Sequence, residues 1–203
     1  FGIDRILGGK LEIDGTPVAL SCAADAVAHG IFLVPEDRKG AGILLGLPIL
    51  ENISLPNLKA HARHFLVSQR MEAATAEIQR TNLAIKTPTL TTLASSLSGG
   101  NQQKVVLAKW LAMKPKVMIM DEPTRGIDVG TKAEIYRLMR ELADAGVAVL
   151  MISSDMEEVI GVSDRIAVMH EGAISGILER EQFSEENVLL LAVGKTANLA
   201  GIA

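Results

Sequence analysis

Two carboxylates stand side by side at Asp121-Glu122, directly after four apolar residues, Val117-Met118-Ile119-Met120. Such a run reads as a buried strand, and in open α/β sheets ligands gather at the C-terminal ends of the strands. There one acid can hold Mg2+ through water while its neighbour polarises an attacking water. A strand that merely runs into an acidic turn has the same composition, so the pair alone leaves both readings open. A second group lies upstream, where Leu97-Ser98-Gly99-Gly100-Asn101-Gln102-Gln103-Lys104 opens a helix that Lys114-Pro115 ends. The first amides of a helix have no partner within it and lie at the positive end of its dipole, which favours a phosphate. Two glycines let another surface approach the backbone, and Ser98 adds a hydroxyl. The plain alternative is a serine N-cap in a glycine turn.

The elements that must hold these residues are legible as patterns. Lys10–Ile13 and Thr16–Val18 flank Asp14-Gly15, a hairpin signal. Ser21 can cap a short helix through Ala28, which Gly30 closes. Ile31–Val34 reads as a buried strand ended by Pro35. From Glu36 to Lys116 the spacing predicts helices and loops with no strong strand, including a near-polar helix over 67–83 with a solvated face. Strand 117–120, an amphipathic helix over 131–145 and strand 147–152 make a βαβ unit and imply a parallel sheet. The outer face of that helix pairs Arg137 with Glu141 and Arg140 with Asp144. Asp155 with Glu158 reads as a capping box, Glu171-Gly172 joins a second hairpin, and a last helix covers 184–193. The expected fold is an α/β core over 1–35 and 117–203, bearing a small antiparallel β lobe, with a helical subdomain inserted at 36–116.

Composition narrows the classes. The chain has 203 residues, 48% hydrophobic and 22% charged, with net charge −4. That is a globular composition, and the acidic balance with six aromatics (one Trp, one Tyr, four Phe) disfavours nucleic acid as a partner. The longest uncharged apolar run, 42–50, is too short to span a membrane. One cysteine, Cys22, excludes a disulfide framework and a CxxC metal site. The chain starts at Phe1, and we expect it to be cut from something longer.

Leu-Ser-Gly-Gly-x-Gln one helix upstream of a strand bearing Asp-Glu-Pro resembles the ATP-binding-cassette (ABC) ATPases, over nearly the whole chain. The resemblance implies a P-loop NTPase-like core. It makes Leu97–Gln102 the signature motif and Val117–Glu122 the Walker B strand, with Asp121 the magnesium-side acid and Glu122 the general base. Thr124-Arg125-Gly126-Ile127-Asp128 stands at the D-loop, with Asp128 its acid. Glu36-Asp37-Arg38-Lys39 and residues 97–104 look closest to carbohydrate importers of the ribose/galactose/xylose type, in the second of two fused cassettes. In that family each nucleotide lies between one cassette's phosphate cradle and the other's signature helix. Ser98, Gly99, Gly100 and Gln102 would therefore grip ATP carried by a partner cassette. ATP and Mg2+ are the implied cofactors. The implied partners are that second cassette, membrane permease subunits and, indirectly, a periplasmic or extracellular sugar-binding protein. The place is the cytoplasmic face of the inner membrane.

Three departures qualify this. No GxxxxGK[ST] cradle is present: Gly9-Lys10 leads into Leu11, and Gly194-Lys195-Thr196 follows a helical run and reads as a helix end. The Walker A region is expected ahead of Phe1, which leaves the isolated chain inactive. Glu36 stands where many relatives carry Gln, and a carboxylate near triphosphate costs energy an amide does not. Ser154 replaces the switch histidine and cannot take up its charge. Two rivals follow: a soluble ABC protein acting on ribosome or DNA, and a nucleotide-responsive half that never cleaves ATP. Glu36 and Ser154 favour the latter; Glu122 speaks against it. The apolar segment 43–55 is read either as local core or as the family's permease-docking surface. His61 and His64 are expected to face solvent, His29 and His170 to end elements, and the eight Met to fill the core.

Overall fold

In the computed structural model, which describes residues 1–4, 6–63 and 66–195, Asp14 and Gly15 both take positive φ (+52° and +71°). Both central residues of a type I′ turn require this, and glycine supplies one of them without strain. The turn joins β1 (Glu12–Ile13) to β2 (Thr16–Pro17) as the small antiparallel lobe. Helix α1 (Ala23–Ala28) follows. Its first turn is satisfied from within, because the Asp25 carboxylate accepts from the Ser21 amide and hydroxyl at 2.8 Å each and the Cys22 amide at 3.2 Å. Ser21 thus stands one residue outside the cap expected of it. His29 ends α1 as anticipated.

The apolar run Ile31–Val34 forms β3. After a single π-helical turn at Arg38–Gly42 come α2 (Ile49–Ser54), α3 (Leu58–His61), the short strands β4 (Ala62–Arg63) and β5 (Leu66–Val67), and α4 (Gln69–Asn82). Then follow α5 (Gly99–Leu111), β6 (Val117–Asp121), α6 (Val129–Asp144) and β7 (Ala148–Ile152). Strands β3, β6 and β7 form a parallel sheet in the order β3-β6-β7, with Val34 opposite Met120 and Met120 opposite Met151. Phe32, Val34, Met118 and Met120 are fully buried, as are Val105, Val106 and Leu107 of α5 and Ile135 of α6. Each such side chain contributes about 1.5–3 kcal/mol through lost apolar exposure. The Phe32 and Trp110 rings stack at 5.2 Å with planes 12° apart, so α5 lies directly on the core strand β3.

Several expectations need correction. The 36–116 region does contain strand pairing, in the two-residue ladder of β4 and β5. The helix placed at 67–83 begins at Gln69, and its polar side is not wholly solvated, because Glu72 is buried and accepts from the Ser54 hydroxyl at 2.6 Å. His61 is buried, not solvent-facing, with Nε2 3.0 Å from Thr75 Oγ1. Both arise because α4 folds back over α2 and α3, which periodicity within one helix cannot reveal. His64 lies outside the described residues. Met118, Met120 and Met139 are core, whereas Met71 and Met169 are exposed. Strand β7 is confirmed, with Leu150 and Ile152 exposed.

The chain divides into two bodies, Phe1–Ile152 and the remainder from Ser153, a boundary that the sequence patterns did not suggest. In the second, Asp155 Oδ1 accepts from the Glu158 amide at 3.2 Å and caps α7 (Met156–Val162). Glu171 and Gly172, again both at positive φ, turn β8 (Arg165–His170) into β9 (Ala173–Glu179). Ser184 caps α8 (Glu185–Ala192) through the Asn187 amide at 3.1 Å. Ile166, Val168, Leu178 and Leu191 make this body's core, with Phe183 and Val188 against it.

Candidate nucleotide site

The sheet delivers the acids to one end. Val34 and Met120 are register partners on neighbouring parallel strands, so Glu36 and Glu122 leave the same end two residues further on. Asp121 is the last residue of β6. Glu122 takes φ +44°, a left-handed conformation that costs a non-glycine residue roughly 1–2 kcal/mol. It is held there by its amide bonding Ile152 O at 2.9 Å and by the Arg125 amide bonding its carbonyl at 3.1 Å. Pro123 and Thr124 beneath are buried. Burial first, and then the negative charges of Glu36 and Glu122, push the Asp121 carboxyl above its ordinary range.

Asp128 is the N-cap of α6, its Oδ1 accepting from the Thr131 amide at 2.9 Å and its Oδ2 from the Thr131 hydroxyl at 2.8 Å. These bonds hold its carboxyl below the usual range.

Helix α5 starts as expected, with Ser98 in extended conformation as N-cap. Its Oγ accepts from the Asn101 amide at 3.5 Å and from Asn101 Nδ2 at 3.0 Å. Ser98 is exposed and Gly99 half-exposed, but Gly100 and Gln102 are buried. A Cβ built on Gly100 would come within 2.7 Å of Thr131 Oγ1, and one on Gly99 within 3.2 Å of Arg38 Nη2 and 3.4 Å of the Gly126 carbonyl. The surface that approaches the second glycine is therefore the chain's own α6. Gln102 Nε2 donates inward to Ala94 O at 3.2 Å, so this side chain anchors the tip instead of reaching outward.

The structure thus brings Glu36, Asp121, Glu122 and Asp128 into one body with Ser98, Gly99, Gly100 and Gln102. Ser154 falls in the second body and is exposed. Its neighbour Ser153 serves the cap of α7, with its hydroxyl donating to Glu158 Oε2 and accepting from the Asp155 amide at 3.1 Å. The Gly194-Lys195 segment is a helix end as expected. Gly194 has φ +74°, its amide reaches Leu191 O, and the Lys195 amide reaches Leu190 O, both at 3.0 Å. Thr196 lies outside the described residues. Among the described residues no cluster of three or more His, Cys, Asp or Glu forms a ready metal cage, and no helix is long and apolar enough to cross a membrane.

Two arginines that the sequence places within motifs, with no role of their own, make contacts only the fold reveals. Arg125 Nη1 forms an ion pair with Glu36 Oε1. Arg38, beside Gly99, has a half-buried guanidinium whose Nη1 donates to Gln103 Oε1 at 3.4 Å. No periodic pattern joins Glu36 to Arg125; only the parallel register does.

Residues 6–125 match the family described as ABC transporter. The chain is 48% identical over 194 residues to the ribose import ATP-binding protein RbsA of Lactococcus lactis, covering 96% of this chain and 39% of that protein. It is also 48% identical over 194 residues to a putative ribose/galactose/methyl galactoside import ATP-binding protein of Rhizobium etli, covering 96% of this chain and 37% of the relative. The chain therefore spans about two fifths of the length of these relatives. Two solved structures are similar in fold. One is the ADP conformation of an ATP-binding cassette of an ABC transporter (TM-score 0.75, 21% identity, 96% of this chain and 80% of that one). The other is a dimeric post-hydrolysis cassette bound to ADP and Pi (TM-score 0.73, 22% identity, 89% and 77%).

Proposed function

Because this chain belongs to the ABC transporter family, we propose that it is the C-terminal cassette of an ATPase that energises import of a monosaccharide through a membrane permease. The observation that carries the reading is the delivery of Asp121 and Glu122 to the end of a parallel sheet in the same body as the Ser98-capped glycine helix. Sugar import is inferred from the similarity to the ribose and ribose/galactose import ATP-binding proteins.

Glu122 has the role of general base toward the water that attacks the γ-phosphate. Its left-handed backbone aims a carboxylate that an ordinary strand end would place elsewhere. Asp121 takes the magnesium side, acting through water. The donor set fits that ion: a carboxyl raised by burial and by two neighbouring negative charges gains from a divalent cation, and the remaining ligands would come from phosphate and solvent. Bound Mg2+ would neutralise charge building on the phosphate oxygens. Ser98 with the Gly99 and Gly100 amides faces ATP carried by a partner cassette. Gly100 and Gln102 serve by fixing that tip against Thr131 and Ala94, and Asp128 serves by capping the helix beside it. Ser154 and Glu36, at the switch and Gln positions, weaken the case for hydrolysis at this cassette's own cradle, so completing the partner's site is its main task. The exposed Leu44 and Leu55 offer the permease contact on the cytoplasmic face of the membrane.

Replacing Ser98 with Trp in the full-length protein is expected to lower steady-state ATP turnover by about a hundredfold, through lost γ-phosphate contacts. Turnover that stays at the wild-type level would refute the role given to the signature tip. Glu122→Gln separates the non-hydrolysing rival, which expects no change; the reading here expects a further loss.

A further inference from the structure

Glu36 brings a third negative charge to a sheet end that already holds Asp121 and Glu122, and its field reaches Asp121. Both ends of its ion pair with Arg125 are mounted firmly. Glu36 follows the buried strand β3 and Pro35, and its carbonyl accepts the Arg38 amide at 2.9 Å. Arg125 follows buried Pro123 and Thr124, with its amide bonded to Glu122 O. The two side chains meet because β3 and β6 are adjacent and in register. We propose that Arg125 is a positioning residue that holds Glu36 and cancels its charge, so that a carboxylate at this place is compatible with a polyphosphate beside Asp121 and Glu122. This inference rests on the nucleotide-site reading above.

An ordinary surface pair predicts something different. Both partners are largely exposed, at 67% and 48% of their side chains, and exposed pairs contribute little to stability. Arg125→Ala therefore leaves the melting temperature unchanged under either view. The views part over nucleotide affinity. An uncompensated carboxylate near triphosphate repels it, and salt screens that repulsion.

The test uses the full-length protein, mant-ATP as the probe, and fluorescence titrations fitted to two classes of site. Arg125→Ala is expected to weaken one class by about tenfold at low salt, with the deficit shrinking as NaCl rises. Arg125→Lys is expected to retain most of the affinity, since it keeps the charge. The decisive arm is the double variant Glu36→Gln with Arg125→Ala, expected to bind within about twofold of Glu36→Gln alone, as a coupled pair requires. The inference is overturned by wild-type binding in Arg125→Ala, or by a double variant that stays as weak as Arg125→Ala. Wild-type protein that binds no mant-ATP would instead bring down the nucleotide reading, and this inference with it.

Discussion

Lys109 sits on α5 with its Nζ 4.7 Å from the Trp110 ring centroid and donates to the Gly42 carbonyl at 2.6 Å. Burial pushes its ammonium down from the ordinary lysine value to about 8, since desolvation disfavours the charged form. In the unfolded chain the group titrates near the usual value of about 10.4. Below about pH 8 both states hold the proton and the burial penalty is present in full. Between about 8 and 10.4 the unfolded chain still holds it while the folded chain has lost it, so the unfolded state binds more protons and stability rises with pH across this window. Lys109→Met is expected to remove that upward contribution. Thermal melts of both proteins at several pH values check this, the difference in melting temperature narrowing as pH climbs from 8 to 10. A difference that is flat with pH would refute the assignment.

Helices α5 and α6 meet at their N-termini, where Gly100 packs on Thr131 and Thr131 is clasped by Asp128. The glycine is required here by close approach, not by backbone angle. Gly100→Ala places a methyl 2.7 Å from Thr131 Oγ1, and overpacking of this kind costs typically about 1–3 kcal/mol. A second change, Thr131→Ala, removes the nearest atoms and is expected to recover most of that loss, because the two residues share one contact. Urea unfolding of the two single variants and the double variant reads the coupling; strict additivity would mean that Gly100 matters for something other than this packing.

At the scale of the whole molecule, the apolar segment 43–55 divides between buried and exposed residues. Ile43, Ile49 and Ile53 are buried, and Asn52 knots the preceding turn by accepting from the Leu44 amide at 2.8 Å and donating to the carbonyls of Leu44, Leu47 and Pro48. Leu44 and Leu55 are exposed. Ile53→Ala is therefore expected to cost about 2–5 kcal/mol of stability, measured by chemical unfolding. Leu55→Glu is expected to leave folding intact and abolish co-purification of the permease with the full-length protein. Permease retained by Leu55→Glu and by Leu44→Glu alike would remove the docking role of this face.

The elements of this chain are written in local patterns, because a strand's apolar run, a cap and a type I′ turn depend on a few neighbouring residues. Val117–Met120 leading into two acids, Ser98 opening α5, and the turns at Asp14-Gly15 and Glu171-Gly172 were all legible that way. What stayed hidden were pairings between residues far apart along the chain. The burial of His61 and Glu72 under α4, the inward turn of Gln102, the contact of Gly100 with Thr131, and the meeting of Arg125 with Glu36 across 89 positions follow from how strands and helices pack. Only the folded register, Val34 beside Met120, sets those distances, and only tertiary packing separates the exposed Ser98 from Gly100 and Gln102, which are packed inward.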